Sequence, residues 1–489
     1  MNSSIVRYTL GQVLKIEAVL LLLPCIVALI YSESKGICFL VVAAICAFLG
    51  FGMTILKPES NLFYLKEGCI ITSLCWIFLS FFGALPFYIS GEIPSLTDAL
   101  FETVSGFTTT GASILSEVES LSRCVTFWRC FTHWIGGMGV LVFLLAIIPI
   151  GGGSQINIMK AESPGPSVGK LVPKIRSTAR ILYIIYFCLT VAEVIFLMAG
   201  GMSLFNSICT ATATAGTGGF GVMNDSLAGF SPYIQWVVTI FMILFGVNFN
   251  AYYLIVFNQV RKALTMEEVV HYFAIILIAI GIIFTRIVGS YAHAADALRD
   301  TAFQVASIIT TTGFSTVDFD KWPAVCQTVL VFLMFIGACA GSTGGGIKVS
   351  RLIILRKTII KEMISYVHPK SIKKIKMDDK PVEHEVVRAT NVFFITFVII
   401  FSVSVLMISI DGNDLITNFT AVAATINNIG PGLSKVGPAL NYGHFSMFSK
   451  YILMFDMIAG RLELFPLLML FHPELWKELF AHYIRKFSK

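Results

Sequence analysis

Ten long apolar runs, separated by short polar stretches, constrain this chain more than any other feature. They fall at residues 16–31, 36–56, 68–90, 125–150, 181–200, 232–258, 270–290, 324–347, 389–410 and 449–472. A bilayer span needs about 20 mostly apolar residues. In lipid, only helices and closed barrels satisfy their own backbone polar groups. The chain therefore reads as an all-α polytopic membrane protein. Of its 489 residues 56% are hydrophobic and 13% charged, against roughly 25% charged in a soluble domain. The eleven cysteines stand singly in or beside apolar runs, without a CxxC pair. Neither a disulfide framework nor a zinc site is expected from them. No cleavable leader is expected either, because the first run is followed by "YSESKG" and another apolar run.

An even number of spans places both termini on one side, and charge bias selects that side. The two tails and the even-numbered loops hold 26 of the 35 Lys and Arg residues. The opposite loops, with the span ends beside them, hold 7, and Arg286 and Arg461 lie within spans. Both termini are thus expected in the cytoplasm. The largest basic loop, 348–388, contains "KSIKKIK" (370–376). Charge bias alone accounts for it, and a docking surface for a cytoplasmic partner is the alternative.

Four outward loops carry a pattern. Each begins with an apolar stretch too short to span: "SLTDALFETVSGF" (95–107), "SLFNSICTATATA" (203–215), "ALRDTAFQVASII" (297–309) and "LITNFTAVAATIN" (415–427). Each continues into a glycine-containing segment: "TTTGAS" (108–113), "GTGGFG" (216–221), "TTTGFS" (310–315) and "NNIGPG" (427–432). Gly111, Gly219, Gly313 and Gly430 are spaced by 108, 94 and 117 residues. A unit of span, short helix, glycine loop and span thus occurs four times.

Non-helical backbone at membrane depth is tolerated only where it packs in protein or lines water. Four such strands around one axis would present rings of carbonyls, which can replace the hydration shell of a monovalent cation. Glycine permits the backbone angles this requires. The short helices would aim their partially negative C-terminal ends at the same place. The expected ion ligands are backbone oxygens of Thr109, Thr110 and Gly111; Thr217, Gly218 and Gly219; Thr311, Thr312 and Gly313; and Asn428, Ile429 and Gly430. The segments are unequal: the second has Gly216 and Gly218 where threonines stand in the first and third, and the fourth has Asn427, Asn428 and Ile429.

With these segments, "HWIGGMGVLVF" (133–143), "AESPGPS" (161–167), "GSTGGGIKVSR" (341–351), "NNIGPGL" (427–433) and "AGRLELFPLL" (459–468) resemble the TrkH/TrkG/KtrB superfamily of potassium transporters, in its TrkH-type branch. The resemblance runs over nearly the whole chain. It implies four M1–P–M2 repeats in a pseudo-fourfold array around one pore, preceded by two extra N-terminal spans. The layout is then two extra spans in 1–60, repeats in 61–150, 178–262, 266–360 and 386–475, and a cytoplasmic tail in 476–489. It further implies potassium uptake across the cell inner membrane by a homodimer, with potassium as the transported ion and no organic cofactor. A cytoplasmic nucleotide-binding RCK subunit of the TrkA type would regulate it. Membrane lipid is the other expected contact, and nucleic acid is not. A proton- or sodium-coupled symporter is the alternative within transport, with Glu193 as an ionisable residue inside a span.

Two features lie below the expected filter. "GACAGSTGGGIK" (337–348) interrupts the eighth span, as small residues do when they break a helix or let it approach another. A gate built from Gly341, Ser342, Thr343, Gly344, Gly345, Gly346 and Lys348 is expected there, and the resemblance implies the same; close helix packing is the alternative. Arg461 lies near the middle of the tenth span, twelve residues from Ser449, or about 18 Å deep at 1.5 Å per residue. An arginine there costs roughly 2.5–3.5 kcal/mol unless it faces protein or water. It is expected to project into the pore as an electrostatic barrier, with an ion pair to Glu463 or Asp456 as the alternative.

Enzyme and nucleotide motifs fail on inspection. Gly341 and Gly346 have P-loop spacing, but Ile347 stands in place of the lysine, and "GPSVGK" (165–170) is one residue short. "HEVVR" (384–388) lacks the second histidine of a zinc protease, and Asp456 has no clear intramembrane aspartate partner, although His133 lies near a span.

Overall fold

The computed structural model describes residues 3–58, 64–139, 175–370, 374–475 and 477. The second half of the fourth apolar run, the motifs at 161–167 and 165–170, part of the basic run 370–376 and the C-terminal tail lie outside these residues.

Among the described residues, six helical stretches are long and apolar enough to cross a membrane: Ser3–Ile30, Gly36–Thr54, Leu65–Ile89, Ala179–Ala199, Glu267–Ser290 and His384–Asp411. Large apolar side chains on their outer faces, such as Phe48 and Leu29, are exposed, as lipid contact requires. The other four apolar runs are not single straight helices. The sixth is split into Pro232–Phe245 and Phe249–Val256, bent by 89°. The eighth is helical only over Ala324–Ile336 before a non-helical stretch that ends at Lys348. The fourth is helical over Arg123–Gly137, and the tenth breaks after Arg461. The sequence reading expected a break in the eighth run alone. The reason for the others lies in contacts between distant segments: a Cβ at Gly136 would lie 1.8 Å from the Phe107 carbonyl, and one at Gly460 2.0 Å from the Ile426 carbonyl. These glycines let the helix run against the end of a short helix.

The short stretches are helices: α1 (Leu96–Phe107), α2 (Leu204–Ala215), α3 (Ala294–Ile309) and α4 (Leu415–Ile426). Three start on a side-chain cap, with Ser95, Ser203 and Asp414 accepting from the amides of Asp98, Asn206 and Thr417. Each such cap contributes about 1 kcal/mol. Asp414 is outside the spans, and its bonds to the Thr417 hydroxyl and amide hold its carboxyl below the usual range.

Packing links these units in order. The long helix before each short helix packs along it: Leu65–Ile89 on α1, Ile175–Ala199 on α2, Glu267–Ile287 on α3 and His384–Ile408 on α4. The helix after each short helix packs on the next short helix in the chain. Arg123–Gly137 lies on α2, Pro232–Phe245 on α3 and Ala324–Ile336 on α4, while Met447–Arg461 returns to α1. The order therefore closes on itself. The N-terminal helices Ser3–Leu20 and Gly36–Thr54 pack on each other and on Leu65–Ile89, outside this closed set.

Candidate ion-binding ring and the segment beneath it

The four short helices end in the same way. After α1, the amides of Thr108, Thr109 and Thr110 donate to the carbonyls of Val104, Gly106 and Ser105. The corresponding three bonds follow α2 at Gly216–Gly218, α3 at Thr310–Thr312 and α4 at Asn427–Ile429. This is a left-handed helix cap, and its left-handed residue is Thr109, Thr217, Thr311 or Asn428, each with φ between 55° and 59°. Glycine is the usual occupant. A β-branched residue there is strained, by about 1–3 kcal/mol, and persists only where its surroundings hold it.

Two residues later φ is positive again, at Gly111 (75°), Gly219 (76°), Gly313 (84°) and Gly430 (99°). Space as well as conformation demands glycine here. A Cβ would lie 1.8 Å from the Gly218 carbonyl at Gly111, 2.0 Å from the Thr312 carbonyl at Gly219 and 2.0 Å from the Ile429 carbonyl at Gly313. At Gly430 it would lie 2.8 Å from the Thr110 carbonyl. Segment one thus meets two, two meets three, three meets four, and four meets one. The twelve expected ligand residues lie in these four segments; the contacts between segments run through eight of them, and Thr109, Thr217, Thr311 and Asn428 are the cap residues before them. Above it is a cleft of about 140 Å³, lined by the four glycines together with Arg129 and Tyr442.

Side chains brace the ring from behind, differently in each segment. The Thr108 and Thr110 hydroxyls are 2.9 Å apart, and those of Thr310 and Thr312 2.8 Å. In the fourth segment, Asn428 Nδ2 donates to Thr110 Oγ1 at 3.0 Å and to the Met457 carbonyl at 2.8 Å. Tyr442 donates to the Gly430 carbonyl at 2.7 Å. In the second segment the neighbour is His133, whose Nδ1 lies 2.7 Å from the Gly106 carbonyl and whose Nε2 accepts from the Phe220 amide at 3.3 Å. Near the cleft, Arg129 Nε and Glu102 Oε1 form a buried ion pair at 2.5 Å. Glu102 also accepts from Ser113 Oγ and the Ile114 amide, while Arg129 donates to the Gly221 carbonyl. The pair ties the outer ends of segments one and two together.

The non-helical stretch 337–348 sits directly beneath. Gly337, Gly341, Gly346 and Lys348 all have positive φ, and Gly337 and Gly346 touch, so that a Cβ on either would lie under 3 Å from the other's Cα. The Gly345 amide donates to Thr311 Oγ1 at 2.6 Å. The Cys339 amide donates to the Gly246 carbonyl, the Phe249 amide to the Gly341 carbonyl, and Thr343 Oγ1 to the Phe245 carbonyl. Lys348 Nζ donates to the Gly344 carbonyl. Buried Glu268 holds the outer edge, accepting from the Ala340 and Ser350 amides at 2.6 and 3.1 Å and from Asn248 Nδ2 at 3.0 Å. Of the expected gate residues, Gly344 and Gly345 lie against the ring segments, and Gly341 and Thr343 lie against the break in the sixth run.

Arg461 reaches the same region from the opposite side. It donates to the Thr343 carbonyl at 2.9 Å, to the Gly137 carbonyl at 2.7 Å and to the Gly136 carbonyl. Both residues considered as its ion-pair partners have other bonds: Glu463 pairs with Arg351, and Asp456 Oδ1 accepts from Ser404 Oγ at 2.7 Å. Glu193 is fully buried and lies in the helix that packs on α2. Sequence reasoning did not find Glu268 or the Arg129–Glu102 pair. The available signal was the presence of charges in or beside apolar runs.

The profile of the TrkH family, described as "Cation transport protein", matches residues 38–482. The chain is 36% identical over 468 residues to the Trk system potassium uptake protein TrkH of Salmonella typhimurium, covering 94% of this chain and 96% of that one. It is 32% identical over 495 residues to the Trk system potassium uptake protein TrkG of Escherichia coli K12, covering 98% and 100%. The crystal structure of the potassium transporter TrkH from Vibrio parahaemolyticus superposes with a TM-score of 0.88 at 33% identity, covering 97% of this chain and all of the other.

Proposed function

The chain belongs to the TrkH family of cation transport proteins, and from that premise we propose that it takes up potassium across a cell membrane through a carbonyl-lined filter. The observation that carries this reading is the closed contact order of Gly111, Gly219, Gly313 and Gly430 with the neighbouring carbonyls. Alternating positive and negative φ along each segment turns successive carbonyls to one side of the strand. Four such strands give the oxygen rings that replace the hydration shell of potassium. The helix ends behind them add partial negative charge.

The units 61–150, 178–262, 266–360 and 386–475 are then M1–P–M2 repeats in pseudo-fourfold array around one pore, with residues 1–60 as two extra spans and 476–489 as a cytoplasmic tail. The stretch from Gly341 to Lys348 is the gate. Supporting this is its position, pressed against the ring at Thr311 and held there by bonds to other helices rather than by helix bonds of its own. Arg461 supplies positive charge on the inner side of the filter, where it repels cations and limits flux. The protein works as a homodimer in the inner membrane with both termini in the cytoplasm, under control of a nucleotide-binding RCK subunit.

Purified protein in liposomes, loaded with rubidium or potassium under an imposed membrane potential, tests the reading. Uptake is expected with selectivity over sodium and without a proton or sodium gradient. Uptake that requires either gradient would make the protein a coupled symporter, and its absence under all conditions would overturn the transport reading.

A further inference from the structure

We propose that His133 is a specificity-determining residue of the ring, which holds the second segment in place by filling the volume that the side chains of Thr110 and Thr312 would occupy at Gly218. The inference rests on the filter reading above. The first and third segments carry threonine at both of the positions where the second has Gly216 and Gly218. Conformation does not require those two glycines. Gly216 has φ of −69°, and Gly218 is not among the residues with positive φ, so any L residue could adopt their backbone. Space does require them. A Cβ at Gly218 would lie 2.2 Å from His133 Nδ1 and 2.3 Å from its Cγ, and one at Gly216 would lie 2.1 Å from the His133 carbonyl. At Gly218 the imidazole occupies the volume of the missing side chain, and at Gly216 the backbone of the same residue does.

The ring also replaces the bonds that the threonines make. Segments one and three are each braced by a hydroxyl–hydroxyl contact two residues apart. Segment two has no hydroxyl at either position. His133 bonds instead to the last turn of α1 through Gly106 and to segment two through the Phe220 amide. The acceptor role of Nε2 places the ring proton on Nδ1, which then donates to Gly106. Its ring lies 4.2 Å from that of Phe220, which also meets the Arg129 guanidinium, 3.7 Å from the ring centroid. One side chain thus fixes the position of the second segment relative to the first, and so the spacing of their carbonyls.

Purified variants in liposomes test this by the ratio of potassium to sodium uptake. His133→Leu keeps the bulk but loses both bonds. Its ratio is expected to fall roughly tenfold, the scale of a lost buried hydrogen bond, while uptake persists. His133→Asn, which retains a donor near the Nδ1 position, should keep most of the parent ratio. His133→Ala should lose selectivity, and adding Gly218→Ser should restore part of it by refilling the space with a hydroxyl. Gly313→Ser serves as the control for the filter itself. Parent-like ratios in His133→Leu and His133→Ala, with selectivity lost in Gly313→Ser, would overturn the role of His133 and leave the filter intact. A parent-like ratio in Gly313→Ser as well would overturn the filter. If the single variants do not fold, the double variant decides: a folded His133→Ala/Gly218→Ser protein with a ratio near the parent supports the complementarity, and one with no selectivity, or one that also fails to fold, rejects it.

Discussion

The hydroxyl of Thr311 accepts a hydrogen bond of 2.6 Å from the amide of Gly345. One partner belongs to the carbonyl ring and the other to the non-helical stretch beneath it, so the proposed gate bears directly on the proposed filter. Removing the acceptor would leave a buried N–H unpaired, which costs about 1–3 kcal/mol, and would weaken the seated position of the stretch. Thr311→Val is expected to raise basal potassium flux in liposomes several-fold, on that scale, while Thr311→Ser stays near the parent. Equal basal flux in all three would separate ring from gate.

The stretch is held at its other edge by Glu268, through two amides and the Asn248 side chain. Glu268→Ala removes three bonds at once and should have the same effect as deleting part of 341–346: higher basal flux and weaker response to a cytoplasmic partner. Single-channel or flux recordings across a range of partner concentrations check this. A deletion variant that folds and behaves as the parent throughout would leave the stretch with a packing role only.

Gly313 combines a φ of 84° with a neighbouring carbonyl that would lie 2.0 Å from any Cβ. Gly313→Ser therefore displaces the Ile429 carbonyl and should abolish or broaden ion selectivity. Competition of sodium, rubidium and caesium with potassium uptake gives the measurement. An unchanged order of preference would mean that ions are not held at this level.

Arg461 presents one fork to carbonyls from two other segments. Arg461→Ala removes both the charge and these bonds, and is expected to increase potassium flux with little change in apparent affinity. Lysine keeps the charge but lacks the planar fork. If the charge sets the barrier, Arg461→Lys stays near the parent. A lysine variant as leaky as the alanine one would assign closure to the bonds with Thr343 and Gly137 instead.

The buried Arg129–Glu102 pair joins two segments at the outer mouth. Breaking it by Glu102→Ala leaves the buried Arg129 charge without its carboxylate, a loss of about 3–5 kcal/mol. A marked fall in the melting temperature of the detergent-solubilised protein is expected, and an unchanged value would show that water reaches the arginine.

Much of this was present in the order of residues. Apolar runs fix the membrane class because burial in lipid depends on local composition and length. The four short helices and their glycine segments were legible because each is a local pattern, a helix followed by a glycine that must adopt positive φ. The ring positions from Thr109 to Gly430 follow from that repeat. What the sequence did not reveal depends on which segments touch. Three of the four breaks lie where distant parts of the chain approach. Gly136 meets Phe107, Gly460 meets Ile426, and the Gly246 carbonyl at the bend of the sixth run accepts from the Cys339 amide of the eighth. Gly216 and Gly218 looked like departures from a threonine pattern until His133 was seen in the space they leave. Glu268 and Arg129 are not singled out by any local pattern, and they bond to Ala340 and Glu102, 72 and 27 residues away. Local sequence sets which conformations each segment can adopt. Only the packed structure decides which carbonyl, amide or ring lies opposite, because that contact joins residues far apart in the chain.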